Sequence, residues 1–119
     1  MINKEYYKEM EKRNRLIPIR KDGFLKGIIT FYVGDDDNKY IRNDPWTVLD
    51  DEPKTGKTIY IDQLITNHHK ENTKCAIKVW SHLKGYFKMR FPQIEQIKWA
   101  RKGRLRKYVY AKDTIECGV

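Results

Sequence analysis

Cysteine is almost absent from this chain, which has only Cys75 and Cys117. Their spacing is not that of a metal-binding pair. With only three histidines beside them, no zinc-type cluster is expected and no metal is assigned. A reduced, cytosolic pair of thiols is the simplest reading. No apolar run approaches the roughly 20 residues that span a bilayer. The opening residues, Met1-Ile2-Asn3-Lys4-Glu5, lack the apolar core of a secretory signal. A cytoplasmic protein with no membrane partner is therefore expected. Phosphate-loop glycines are missing too. Thr55-Gly56-Lys57-Thr58 ends like such a loop, but Asp51 stands where the first glycine belongs and a strand follows instead of a helix.

Acidic residues are scarce in one part of the chain. Residues 1–73 hold 13 Lys/Arg and 13 Asp/Glu, whereas residues 74–119 hold 12 Lys/Arg against Glu95, Asp113 and Glu116. The net charge of +9 thus comes entirely from the C-terminal part. A charge confined to one region favours an anionic partner: nucleic acid, a phosphorylated cofactor or an acidic protein surface. The 119 residues, 39% hydrophobic and 13% aromatic, suit one domain with one modest core.

Residues 3–14 read as a helix with Ile2, Tyr6, Tyr7 and Met10 on one face. Leu16-Ile17-Pro18-Ile19 is extended, its proline suiting an edge or a strand start. Lys21-Asp22-Gly23 signals a turn, and residues 24–33, rich in Ile, Phe, Tyr and Val, complete a hairpin. Asp35-Asp36-Asp37 lacks the other ligands of a calcium loop and reads as a solvated turn. The centre of the chain runs from Thr58 to Phe91: an apolar strand 59–65, a polar loop 66–73, and an amphipathic helix from about Lys74 to about Arg90. Ala76, Val79, Trp80, Leu83, Tyr86 and Phe87 form the core stripe of that helix, and Phe91-Pro92 stops it. Residues 93–102 and 104–112 read as two strands. Period-two alternation places Ile97, Trp99, Leu105 and Val109 on one side and Lys98, Arg104, Arg106, Tyr108 and Tyr110 on the other. The expected fold class is α/β (α+β): one domain, 1–119, with an N-terminal helix 3–14, a core 16–112 and a tail 113–119.

Several short motifs carry a family resemblance over residues 16–110. They are Pro18-Ile19-Arg20-Lys21-Asp22-Gly23 leading to Gly27-Ile28-Ile29-Thr30-Phe31, the Lys39-Tyr40-Ile41 turn, Gly56 before Ile59-Tyr60-Ile61-Asp62, and the closing Phe91-Pro92. In these the chain resembles the GNAT acyltransferase superfamily, and within it small toxin-activating lysine acyltransferases and their phage-encoded relatives. The resemblance implies a GNAT-like mixed, mostly antiparallel sheet packed on a long helix. It also implies transfer of an acyl group from acetyl-CoA or another acyl-CoA to an amine, on a protein or a small molecule. In such proteins the strand before the helix splays from its neighbour, its backbone pairs with the pantetheine arm, and a glycine-rich loop takes the pyrophosphate. Leu64, Ile65, Thr66, Asn72, Thr73, Lys74 and Ala76 would then bind cofactor. The relatives' loop pattern, Arg-Gly-x-Gly-x-Gly/Ala, falls on 71–76, where Glu71, Asn72 and Lys74 depart from it and Ala76 fits. The relatives' acidic residue falls on Asp62, and their N-terminal histidine has no counterpart before His68.

Asp62, among apolar neighbours on a central strand, would be a general base if burial raised its pKa. It would otherwise be a carboxylate that bonds loop backbone or faces solvent. His68 and His69 border the same loop, either as proton acceptors or as exposed loop residues. The run from Lys98 to Tyr108, with Lys98, Arg101, Lys102, Arg104, Arg106 and Lys107, reads as an anion-binding hairpin or a solvated face. It supports the alternative of a non-catalytic binding protein, viral or from a mobile element, that engages nucleic acid or a host protein.

Overall fold

The computed structural model describes residues 4–35, 39–40, 46–66, 70–101 and 104–117, and for residues 21, 66, 70–79, 101 and 117 the backbone alone. The element order is α1 (Lys4–Lys12), β1 (Leu16–Lys21), β2 (Phe24–Gly34), β3 (Thr58–Thr66), α2 (Lys70–Arg90), β4 (Gln96–Arg101), β5 (Arg104–Val109) and β6 (Thr114–Cys117). The six strands form one sheet in chain order. Every neighbouring pair is antiparallel except β3 and β4, which run parallel and are joined across α2.

Local chemistry sets the connections. Asp22 and Gly23, both at positive φ (54° and 81°), make a two-residue hairpin turn between β1 and β2, the conformation Asp-Gly favours. Helix α1 is closed by Asn14, in the left-handed region at φ 59°. The Arg15 and Asn14 amides donate back to the Met10 and Glu11 carbonyls in a Schellman closure.

Each face of the sheet carries its own apolar cluster. Under α2 lie Ile19, Ile29, Phe31, Val33, Ile59, Ile97 and Tyr108, with Leu83 and Phe87 from the helix and Phe91 just past its end. Under α1 lie Tyr32, Tyr40 and Tyr60, packed by Tyr6 and Met10, with Val48 and Leu49 at the margin. The segment 47–57 is fastened at the end of β2. The Glu52 amide donates to the Val33 carbonyl at 2.7 Å, and buried Arg15 pairs with Asp51.

The layout corrects the expected architecture of a GNAT-like mixed, mostly antiparallel sheet packed on a long helix. The fold is strand-dominated, a six-stranded mixed sheet with two helices and no long helix laid along it. The reason lies in the described part of α2. Among its described side chains Trp80, Leu83, Tyr86 and Phe87 pack on one face of the sheet, while α1 and an aromatic loop cover the other face. Helix α2 also starts at Lys70, so Asn72, Thr73 and Lys74 belong to its first turns and not to a loop. The expected tail supplies β6, which pairs with β5 from Arg106–Cys117 to Val109–Thr114. Among the described residues no helix is long and apolar enough to cross a membrane.

Candidate functional site

The β3 strand carries one extra residue. Phe31 pairs with Ile61 and the next residue back on β2, Thr30, pairs with Gln63, which leaves Asp62 as the bulged position. Residues directly opposite share a face, so Ile61 faces α2 with Phe31, and Gln63 faces α1 with Thr30. Asp62 follows Ile61 and so points to α1, where the Tyr6 hydroxyl donates to the Asp62 carboxylate, and the bulge puts Gln63 on that same side.

That contact belongs to a directed relay. Tyr6 Oη is also 2.8 Å from Thr30 Oγ1, and the Gln63 amide donates to Thr30 Oγ1 at 3.1 Å. Because the Tyr6 proton is committed to the carboxylate, Thr30 donates to Tyr6 and accepts from Gln63. Burial raises the Asp62 pKa above the ordinary carboxylate range, and the Tyr6 bond opposes that rise. Burial likewise raises the phenol of Tyr6, with the bond to Asp62 adding to it. Tyr7 is raised by burial and then by the charge of Asp62, and its hydroxyl is buried without a hydrogen-bond partner.

Beside Asp62 the sheet forks. The parallel ladder between β3 and β4 runs from Thr58–Gln96 to Ile61–Trp99 and stops there. Strand β3 continues to Thr66 and β4 to Arg101. From Asp62 onward β3 has β2 on one side and no ladder partner on the other among the described residues. Leu64 and Ile65 on this free stretch are 56% and 39% exposed, unusual for large apolar side chains in the middle of a sheet. Because α2 starts four residues after β3 ends and leads back to parallel β4, its N-terminus lies at the open end of the fork.

The expected site residues separate into groups. Asp62, Leu64 and Ile65 are brought together at the fork, and Thr66 ends β3. Asn72, Thr73, Lys74 and Ala76 lie in the first turns of α2, where the backbone alone is described. His68, His69 and Lys102 fall outside the described residues. The basic hairpin is not a single face. Arg104 and Arg106 pair with Arg101 and Trp99, which puts them and Tyr108 on the α2 side, whereas Lys107 pairs with Lys98 on the α1 side. The expected alternation is therefore one residue out along β5. Lys98 is buried and Lys107 meets Glu116 at 3.5 Å. No group of three or more metal-ligating side chains occurs among the described residues.

Sequence reasoning missed Tyr6 and Thr30 as partners of Asp62. Tyr6 showed only the helical spacing of a core residue, and nothing in the sequence marks the bulge. No family model, curated protein or solved structure matches this chain.

Proposed function

We propose that this protein is an N-acyltransferase that moves an acyl group from acetyl-CoA or another acyl-CoA to an amine, in keeping with the GNAT resemblance. The observation that carries the reading is the fork: a free β3 edge opening beside a half-buried carboxylate. The backbone groups of 62–66 that face away from β2, which have no ladder partner among the described residues, suit the two amides of a pantetheine arm, and exposed Leu64 and Ile65 suit its methyl groups. At the open end, the first-turn N–H groups of α2, which have no partner within the helix, favour a pyrophosphate.

Asp62 accepts the proton of the attacking amine. The nitrogen bonds to the thioester carbon, the carbon–sulfur bond breaks, and the thiolate leaves and takes the proton back from Asp62 to give the free thiol. Tyr6 holds the carboxylate in place, and Thr30 holds Tyr6. A raised Asp62 pKa makes it a stronger base than an exposed aspartate. The alternative, a nucleic-acid or host-protein binder using the 98–107 hairpin, has less support because its cations divide between two faces.

Calorimetric titration with acetyl-CoA tests the reading. Saturable heat is expected, together with acyl transfer to a lysine-bearing peptide that falls at least tenfold in Asp62→Asn. Absence of heat and of a thermal shift at millimolar acetyl-CoA would refute it.

A further inference from the structure

A second buried polar atom without a partner lies two strands from Asp62, on the other face of the sheet. Among the described residues, Tyr7 Oη and Arg106 Nε are the buried side-chain atoms with no hydrogen bond. Other buried or half-buried cations are held. Arg15 pairs with Asp51, Lys84 with Asp113 and Lys107 with Glu116; Arg90 donates to the Tyr86 hydroxyl, and Lys26 lies over the Phe24 ring. Arg106 has neither an ion pair nor a hydrogen bond, and a buried donor in that state bears its full desolvation cost.

Its place in the sheet indicates what it is for. Arg106 pairs with Trp99, and Trp99 pairs with Ile61 in the last rung before the fork opens. Arg106 thus stands on the α2 face one strand spacing, roughly 4.8 Å, from Trp99 and two from Ile61, so the apex between them is within reach of an arginine side chain. Trp99 packs on Trp80 at 5.2 Å, and Trp80 on Tyr108 at 5.7 Å, so the surroundings are aromatic. A donor whose pyrophosphate sits at the α2 N-terminus and whose arm follows the β3 edge places its acyl group at this apex.

We infer that Arg106 anchors a carboxylate at the far end of the acyl group, so that the donor is the CoA thioester of a short dicarboxylic acid. The inference rests on the acyl-transfer reading. A guanidinium offers two parallel N–H groups to the two oxygens of a carboxylate, and an aromatic setting accepts a monoanion more readily than a doubly charged phosphate. The distal carboxylate takes no part in bond making. The C–N bond forms, the C–S bond breaks, the amine proton passes to Asp62, and CoA leaves as a thiolate that takes that proton from Asp62.

Calorimetry with succinyl-CoA and butyryl-CoA, equal in chain length and differing in the terminal carboxylate, tests this on the whole chain. Succinyl-CoA should bind about tenfold or more tightly than butyryl-CoA. In Arg106→Met the preference should vanish while butyryl-CoA binding is unchanged, and Arg106→Lys should keep part of it. Because the Arg106 side chain makes no hydrogen bond or ion pair in the fold, the Met variant should melt no lower than the parent. Equal binding of the two thioesters by the parent protein, or a preference that survives Arg106→Met, overturns this inference alone. No heat from either thioester overturns it together with the acyl-transfer reading.

Discussion

Replacing Tyr6 by phenylalanine isolates the bond that ties α1 to the fork. The Tyr6 ring is buried against Tyr7 and Trp46, at centroid distances of 5.2 and 5.5 Å, and phenylalanine keeps that packing. What is lost is a hydroxyl donated to a half-buried carboxylate, together with the acceptor of the Thr30 proton. A hydrogen bond to a charged group contributes about 1.5–3 kcal/mol, so a loss of about 2 kcal/mol is expected at neutral pH. The pH dependence gives the sharper test. Burial holds the folded pKa of Asp62 above its unfolded value. Its contribution to stability is therefore complete below about pH 4, where both states are protonated, and declines as pH rises through the folded pKa. The Tyr6 bond is the effect that lowers this pKa, so removing it raises the pKa further and carries the decline to higher pH. The Tyr6→Phe penalty should be smallest in acid and grow towards neutrality. Urea unfolding between about pH 3.5 and 8, with carboxyl 13C NMR of Asp62, measures both quantities. A penalty that is flat or shrinks with rising pH, or an Asp62 that titrates lower in the variant, would refute the relay.

Two other substitutions test the frame that carries the site. In Gly56→Ala the new methyl carbon would lie 2.6 Å from the Gly34 amide nitrogen and 2.8 Å from the Glu52 carbonyl oxygen, neither of which can rotate away. A loss of about 2 kcal/mol or more in urea unfolding is expected, and a loss below about 0.5 kcal/mol would mean that the two backbones are not in contact. Arg15→Met strips a partner from Asp51, a carboxylate with 13% of its side chain exposed. It should cost about 3–5 kcal/mol, most of it recovered in the Arg15→Met/Asp51→Asn double variant. A double variant as unstable as the single one would show that packing of Arg15 on Phe31 and Phe91, and not charge pairing, carries the effect.

The parts of the fold legible in the sequence are those set by local chemistry or by period alone. The Asp22-Gly23 turn, the strands at 24–34 and 58–66, the Tyr6–Met10 face of α1 and the Trp80–Leu83–Phe87 stripe of α2 all follow from turn residues and apolar spacing. What failed did so because it depends on pairing. The side chains of β5 lie on the faces opposite to those expected because its register is counted from Trp99–Arg106, and one residue of slip reverses every side chain. Strand β6 was invisible because Thr114–Cys117 is too short to show alternation and owes its form to the edge of β5.

The site shows the same division. Asp62 could be picked out as a carboxylate in an apolar strand, but alternation alone cannot reveal that Asp62 and Gln63 share the α1 side. That takes the extra residue between the Ile61 and Gln63 pairings. The bulge and the end of the β3–β4 ladder fall within one residue of each other, at Asp62 and Ile61. A bulged strand twists more strongly and bends, which draws β3 away from a parallel neighbour whose pairing with β5 is regular. The extra residue thus accounts for the shared face of Asp62 and Gln63 and for the opening of the fork beside them. Deleting Gln63 would restore regular pairing, with Asp62 opposite Thr30 and with Leu64 and Ile65 still opposite Ile29 and Ile28, so removing the bulge should close the fork while Asp62 keeps its bond to Tyr6.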